Sequence, residues 1–366
     1  MTGARFLYVS RLPPSPSGVA RYAGDFSGVL AQLGTVTVVR LPAEPARSQR
    51  VRTVVAVLGR VLRERLREGP DVVCWVELAG RGIAEAAGAL ACSLLFRTTC
   101  VTVHDAPAVT GGAGYLAVLD RRGGRRVAAA ISRTVGARFE RAVLRDADRV
   151  FALSDLGARA VEARYGTRCR TLPHVVATPA PEDDTDELVV YLPGYVSGAL
   201  PVKELAAFFR ALGRAGGRLL VGSADEDALT VLRTAAGAAG AGQLDERGFQ
   251  SEEEIDRSFA LAALVLKILP SDGTGVANWA AVSGPVLRAL AHGCVVVTND
   301  HRGTSEYVAG AHAVLVSGAG NALRAATALL GEPLVQLRGR GSDARSFHAS
   351  TSSVERVRRC LLEVLL

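Results

Sequence analysis

At 366 residues the chain has room for two or three ordinary domains with sizeable cores. Apolar residues make up 49% and charged residues 22%, which excludes a disordered chain, and no apolar stretch of about 18 residues calls for a membrane-spanning helix. The net charge of +7 comes almost wholly from arginine, since the chain has only two lysines, Lys203 and Lys267; this balance suits anionic partners such as nucleotide phosphates, an acidic membrane surface or nucleic acid.

In chain order, "RFLYVS" (5–10) predicts a first strand, and "PPSPSGVARYAGDF" (13–26) follows as a loop that becomes helical near Val19. That loop is either a tight turn or a segment whose backbone N–H groups face a ligand, with Gly18 permitting close backbone approach. "TVTVVRL" predicts a second strand. Residues 51–67, "VRTVVAVLGRVLRERLR", predict a helix with Val54, Val57, Leu58, Val61 and Leu62 on one face. It reads either as a surface helix packed on a sheet or as a basic amphipathic helix at anionic lipid. "DVVCWV", "TCVTVHD", "RVFALS" and "RTLPHVV" predict further strands, and Arg121, Arg122, Arg125 and Arg126 form a basic cluster expected in a loop.

A proline- and acid-rich break, "ATPAPEDDTDE" (177–187), separates these from "LVVYLPG", "RLLVGS", "ALVLKILP", "CVVVTND" and "AVLVS". Eleven β-branched runs alternating with helical stretches predict parallel sheets of βαβ units, too many for one doubly wound sheet. The reading is α/β with two Rossmann-like domains, 1–178 and 179–350, and a C-terminal helix at 351–366. The six cysteines (74, 92, 100, 169, 294 and 360) form no C-x-x-C pair, so buried free thiols in a reducing compartment are expected and no metal site. The N-terminus lacks a basic segment followed by an apolar run and cleavage site, which predicts a cytoplasmic protein. Nucleic-acid binding is not expected, because the charge is diffuse and aromatics are 5%.

Three segments of the second half point to chemistry. "LPGYVSGALPVKELAAFFRAL" runs from a strand through glycines into a helix bearing Lys203. "ILPSDGTGVANWAAVSGPVLRALAHGCVVVTND" runs through a glycine loop into a helix opened by Ser283 and Gly284. "RGTSEYVAG" places Glu306 at the head of another helix. In open α/β sheets ligands bind outside the carboxyl ends of strands, and N–H groups at a helix N-terminus suit phosphate oxygens. Lys267, in an apolar strand, needs water or an anion for its ammonium; it either points at that ligand or snorkels to the surface.

These stretches, with "PSPSGVARY", "VTVHD", "RAVLRDADRVFALSDLGARAVEARYG", "LPHVV" and "DERGFQSEEEIDRSFALAALVLKILPS", resemble the glycosyltransferases of the GT-B fold, in the large retaining family called GT4. They occur in family order over nearly the whole chain. The resemblance implies two Rossmann-like domains facing a central cleft, acceptor side first and nucleotide-sugar side second, with the C-terminal helix packing back on the N-terminal domain. It implies that Gly18 lies near the donor phosphates, that His104 touches the donor sugar, and that Lys203 binds the donor diphosphate. His174, Ser154 and Glu306 match cleft positions, each open to a structural reading as well, capping in the case of Glu306.

The chain departs from the family where two glutamates normally stand eight residues apart. Here those places hold Ala280 and Arg288, and the arginine usual six residues before the lysine is Ser197. Arg288 is open to two readings, a phosphate ligand or an arginine paired with a nearby carboxylate. The resemblance implies a glycosyltransferase using a nucleotide-diphosphate sugar, with retention and without metal or other cofactor. The implied acceptor is a small molecule, a glycan or a lipid-linked compound, with peripheral contact at the inner membrane face. Lys203, Lys267, Ser283, Gly284 and Arg288 would neutralise the departing diphosphate. Loss of the glutamates leaves a catalytically inactive binding subunit open, and an epimerase or hydrolase on the same fold is a further alternative.

Overall fold

The computed structural model describes residues 3–13, 15, 18–41, 50–79, 83–109, 138–179, 185–196, 200–224, 226–239, 244–269, 280–308 and 310–365. The basic cluster at 121–126, the glycine loop at 270–279, Ser197, and residues 14, 16 and 17 of the first loop lie outside the described residues. The chain divides into two compact units. Unit 1 holds Met1–Val175, Gly275–Val282 and Val354–Leu366, and unit 2 holds Val176–Thr274 and Ser283–Ser353.

Unit 1 runs β1 (Ala4–Ser10), α1 (Gly18–Leu33), β2 (Gly34–Arg40), α2 (Arg50–Glu68), β3 (Val73–Leu78), α3 (Ile83–Leu95) and β4 (Thr98–Val103), then α4 (described over 138–145), β5 (Arg149–Ala152), α5 (Asp155–Tyr165) and β6 (Cys169–Thr171). The sheet order is β2-β1-β3-β4-β5-β6, with parallel pairing throughout. Successive strand residues point to opposite faces, so each strand feeds two cores. Leu7, Val9, Cys74, Val76, Val101 and Val103 pack with α2 and α3 through Val57, Val61, Ala86 and Ala89. Phe6, Tyr8, Trp75 and Phe151 pack on the other face with Tyr22, Phe26 and Leu30 of α1. The final helix, α12 (Val354–Leu365), joins that second core through Val357 and Leu361.

The inward face of α2 differs from the expectation. Val57 and Val61 are buried, worth roughly 1.5–3 kcal/mol each, whereas Leu58 and Leu62 are 37% and 47% exposed. With Val55 and Leu66, at 63% and 78% exposed, they form an apolar stripe that faces solvent. At about 100° per residue, Arg52, Arg60, Arg63 and Arg67 fall in the sector beside it. Neither Arg52 nor Arg63 forms an ion pair among the described residues.

Unit 2 runs β7 (Val189–Val196), α6 (Val202–Arg214), β8 (Arg218–Ala224), α7 (Glu226–Ala238), β9 (Leu244–Glu246), α8 (Glu252–Leu261) and β10 (Leu264–Lys267). There follow α9 (Gly284–His292), β11 (Val295–Thr298), a 3-10 turn (Gly303–Tyr307), β12 (Ala313–Leu315), α10 (Ala319–Leu329) and α11 (Leu334–Thr351). The order is β12-β11-β10-β7-β8-β9, again with parallel pairing. Strand β9 was not expected from sequence; its polar "LDE" pairs with Leu219–Val221 of β8 at the sheet edge, where one open side accommodates acids. Both units are thus Rossmann-like. All six cysteines are free thiols; Cys74, Cys92, Cys100, Cys169 and Cys294 are buried and Cys360 is half-buried.

Candidate functional site

In a doubly wound sheet the crevice lies at the carboxyl ends of the strands where the winding direction reverses. In unit 1 that point is between β1 and β3, and in unit 2 between β7 and β10. Each is occupied by buried polar side chains.

At the unit 1 edge, His104 follows the last residue of β4 and its backbone N–H bonds the Leu78 carbonyl at 3.0 Å. Its Nε2 lies 2.7 Å from Oε2 of Glu77, a β3 residue that is 1% exposed. The Tyr8 hydroxyl, from β1, donates to the other Glu77 oxygen at 3.0 Å. Burial, and then the Glu77 charge, hold the Tyr8 phenol well above its usual range, so it stays a donor. The Tyr22 ring stands edge-on to His104 at 4.6 Å and to His174 at 5.0 Å. His174 is pushed down to about 3, chiefly by burial and then by His104; it is therefore neutral and donates through Nδ1 to the Val175 carbonyl at 3.0 Å. Beside this group, Arg11 and Glu85 form a buried pair at 3.0 Å, and Glu85 also accepts from Ala79 N at 2.8 Å.

The other unit 1 candidates have local explanations. Ser154 caps α5, accepting from Gly157 N at 3.0 Å. Gly18 is the first residue of α1, and a Cβ built there would meet nothing within 4 Å. Its own protein therefore does not require a glycine at that point.

At the unit 2 edge, Lys267 ends β10 and its Nζ stands 3.4 Å from where a Cβ on Gly194 would lie. Gly194 has φ +80° and sits in the β7 irregularity between Leu192 and Tyr195. Burial pushes the Lys267 ammonium down from its ordinary value; Asp300 opposes that shift and Arg302 adds to it. Asp300 is fully buried and already committed. It accepts from Arg302 Nε at 2.8 Å and Nη2 at 2.9 Å, and from the Thr304 hydroxyl at 2.9 Å. Thr304 in turn accepts from Ser283 N at 2.8 Å.

That last bond changes the picture of the α9 N-terminus. The Ser283 N–H is not available to a ligand, Pro285 has none, and Val286 and Leu287 both donate to the Ser283 carbonyl, at 3.1 and 3.3 Å. Gly284 N is left as the donor without a hydrogen bond among the described residues of this turn. Arg288, one turn on, is 7% exposed; it pairs with Glu252 at 3.4 Å and with Asp256, and its guanidinium lies 5.8 Å from the Phe259 ring centre. This is the carboxylate-paired arrangement.

Lys203 is exposed in the first turn of α6 and makes no ion pair among the described residues. Glu306 is exposed in a five-residue 3-10 turn rather than at the head of an α-helix. Two residues escaped sequence reasoning. Glu77 is an acid inside "CWVEL", a costly placement that signals a buried partner. Phe249, just past β9, is 79% exposed, an unusual position for a lone phenylalanine flanked by polar residues.

No protein-family model matches the chain, and no curated protein matches its sequence. Among solved structures it is similar to a glycosyltransferase from Rickettsia africae, with TM-score 0.62 and 12% identity over 99% of this chain and 97% of that one. It is similar to HepE from Anabaena in complex with UDP-glucose, with TM-score 0.59 and 14% identity over 98% and 99%. A protein assigned as a UDP-N-acetylglucosamine 2-epimerase from Listeria monocytogenes gives TM-score 0.57 and 12% identity over 99% and 96%. What these likenesses share with the chain is the fold: two Rossmann-like α/β units in succession, of the GT-B type.

Proposed function

We propose that the chain is a glycosyltransferase that takes a sugar from a nucleoside diphosphate sugar, and that the switch point of unit 2 binds the donor diphosphate. The observation that carries this is Lys267. Its ammonium is desolvated at the crevice between β7 and β10, while the neighbouring Asp300 is held by Arg302 and Thr304. A positive charge left in that state favours an anion. Lys203 adds to it, because a lysine in the first turn opposes the helix dipole unless an anion is also present. Gly284 N supplies a backbone donor, and Phe249 offers a ring face for a nucleobase. Stabilising the charge that develops on the departing diphosphate is the main catalytic demand.

Calorimetric titration with UDP tests this reading. Lys267→Ala should lose about 1.5–3 kcal/mol of binding without loss of fold stability, since a half-buried, desolvated cation is removed with it. Lys203→Ala should lose less and in a salt-dependent way, being exposed. Unchanged UDP affinity in both variants would break the assignment. The epimerase neighbour favours a second reading, isomerisation of the nucleotide sugar on the same fold. Product analysis separates the two: transfer releases free UDP, whereas epimerisation converts one UDP-sugar into another.

We also propose peripheral contact with anionic lipid through α2. The support is the apolar stripe Val55, Leu58, Leu62 and Leu66 lying beside a row of arginines. An interfacial helix needs both, and no helix among the described residues is long and apolar enough to cross a membrane.

A further inference from the structure

Glu77 does more than fill a polar gap in the core of unit 1. A carboxylate that is 1% exposed persists only if both oxygens are satisfied, and the two partners here are not equivalent. The Tyr8 hydroxyl can reach a carboxylate only as donor, and it occupies Oε1 at 3.0 Å. Oε2 lies 2.7 Å from His104 Nε2, and an ionised carboxylate accepts only, so the proton of the imidazole must sit on Nε2. That leaves Nδ1 as the nitrogen with a lone pair, and Nδ1 makes no hydrogen bond among the described residues. The ring is held in place by the edge of Tyr22 at 4.6 Å. The other charged or titratable groups around it are His174, held neutral beyond Tyr22, the Arg11–Glu85 pair, and Asp105 on the same loop.

We propose that Glu77 is a positioning residue: it fixes His104 as the Nε2–H tautomer, so that Nδ1 accepts a hydrogen bond from a hydroxyl of a sugar substrate. The hydroxyl half of this rests on the glycosyltransferase reading; the tautomer half stands on the geometry of unit 1. The hydroxyl belongs either to the donor sugar or to the acceptor.

The Tyr8 contact makes the test specific. In Glu77→Gln the phenol still donates, so it keeps the amide oxygen on its own side and turns the NH2 group toward His104. Nε2 must then accept, and the imidazole proton moves to Nδ1. Removing the phenol as well, in Glu77→Gln with Tyr8→Phe, frees the amide to rotate and present its oxygen to His104, which restores the Nε2–H tautomer. The chain has six histidines, few enough to resolve their ring nitrogens by long-range 1H–15N NMR, with His104→Gln identifying the signal. The expected sequence is Nε2–H in the wild type, Nδ1–H in the single variant and Nε2–H again in the double variant. A space-filling role would leave the tautomer unchanged in Glu77→Gln and would overturn the proposal. If that variant fails to fold, the wild-type spectrum alone decides, because an Nδ1–H signal for His104 is incompatible with it.

Titrations with UDP and UDP-glucose locate the hydroxyl. If it belongs to the donor sugar, Glu77→Gln weakens UDP-glucose about three- to tenfold and leaves UDP unaffected. If it belongs to the acceptor, both affinities stand and release of UDP from UDP-glucose, with water as acceptor, falls about tenfold or more at unchanged KM. Unchanged affinity and turnover despite a flipped tautomer would overturn the hydroxyl assignment. A wild type that binds neither compound would break the glycosyltransferase reading and the hydroxyl assignment with it, while the tautomer result would still decide the role of Glu77.

Discussion

The β1/β3 edge of unit 1 and the β7/β10 edge of unit 2 share one architecture and hold opposite chemistry. In unit 1 the buried charge is a carboxylate, Glu77, faced on both oxygens by proton donors. In unit 2 the half-buried ammonium of Lys267 stands beside a buried acid, Asp300, that Arg302 already neutralises. The strand order fixes where a ligand can sit, and side chains at the strand ends decide which ligand. On the proposed reading, one edge would orient a neutral hydroxyl and the other would hold an anion.

The largest expected difference between the units is their response to acid. Each buries a histidine that donates to a backbone carbonyl: His174 to Val175 in unit 1 and His348 to Val176 in unit 2. His174 is lowered from 6.5 to about 3 and His348 from 6.5 to about 4, both mainly by burial. A lowered native value means that the unfolded chain binds a proton the native state refuses. The associated stability is therefore present above about pH 6.5 and is lost as pH falls through that window. At about 1.4 kcal/mol per unit, His174 should cost unit 1 several kcal/mol by about pH 3 and His348 should cost unit 2 somewhat less, with His312, also lowered by burial, adding to unit 2. Trp75, fully buried in unit 1, reports the first loss by fluorescence in urea titrations at neutral and acid pH. His174→Gln should flatten the pH dependence of that signal, and an unaltered slope would assign the acid sensitivity elsewhere.

A smaller effect is expected at Arg288. Glutamate at this position would meet Glu252 and Asp256 in a site where the arginine is 7% exposed. Breaking a buried pair costs about 3–5 kcal/mol, but these carboxylates are half exposed, so about 2–3 kcal/mol is the expected loss for Arg288→Glu. Calorimetry should show it as a lowered unfolding temperature, with UDP affinity of the folded protein unchanged. Weaker UDP binding by the folded variant would instead place Arg288 among the phosphate ligands and enlarge the cationic edge of unit 2.

Much of this organisation was legible in the sequence because buried parallel strands announce themselves as β-branched runs. "RFLYVS", "CVVVTND" and most of their like became strands within a residue or two, whereas "RTLPHVV" (170–176) is a strand only over Cys169–Thr171. Strand β9 was not legible, since "LDE" owes its conformation to pairing with β8 and not to its own residues. Lys267 could be singled out because a lone lysine in an apolar strand is anomalous. Glu77 carried the same kind of signal, but its partners come from β1 and from the residue just past β4, 69 and 27 positions away, and only the folded sheet brings them together. The Ser283 N–H looked open in sequence because its partner, Thr304, belongs to a later loop.

The smallest expected effect concerns the surfaces. Unit 1 gathers four exposed apolar residues on one helix, whereas the large exposed apolar residues of unit 2, Val202, Phe249 and Val335, lie on separate elements. If α2 lies at anionic lipid, each leucine that enters the interface contributes on the order of 1 kcal/mol, and the arginines add attraction that salt screens within about 10 Å at about 0.1 M. Leu62→Ser with Leu66→Ser should leave folding intact, because both side chains already face solvent. The variant should bind vesicles of mixed neutral and anionic phospholipid about ten- to thirtyfold more weakly, if the two losses add. Arg52→Gln with Arg63→Gln should instead flatten the salt dependence while sparing binding to some extent at high salt. Loss of binding in the leucine variant alone, with the salt dependence unchanged in the arginine variant, would mean that the apolar stripe and not the arginines holds α2 at the bilayer. Equal binding by wild type and both variants would remove α2 from the interface and leave the contrast between the units to their strand edges.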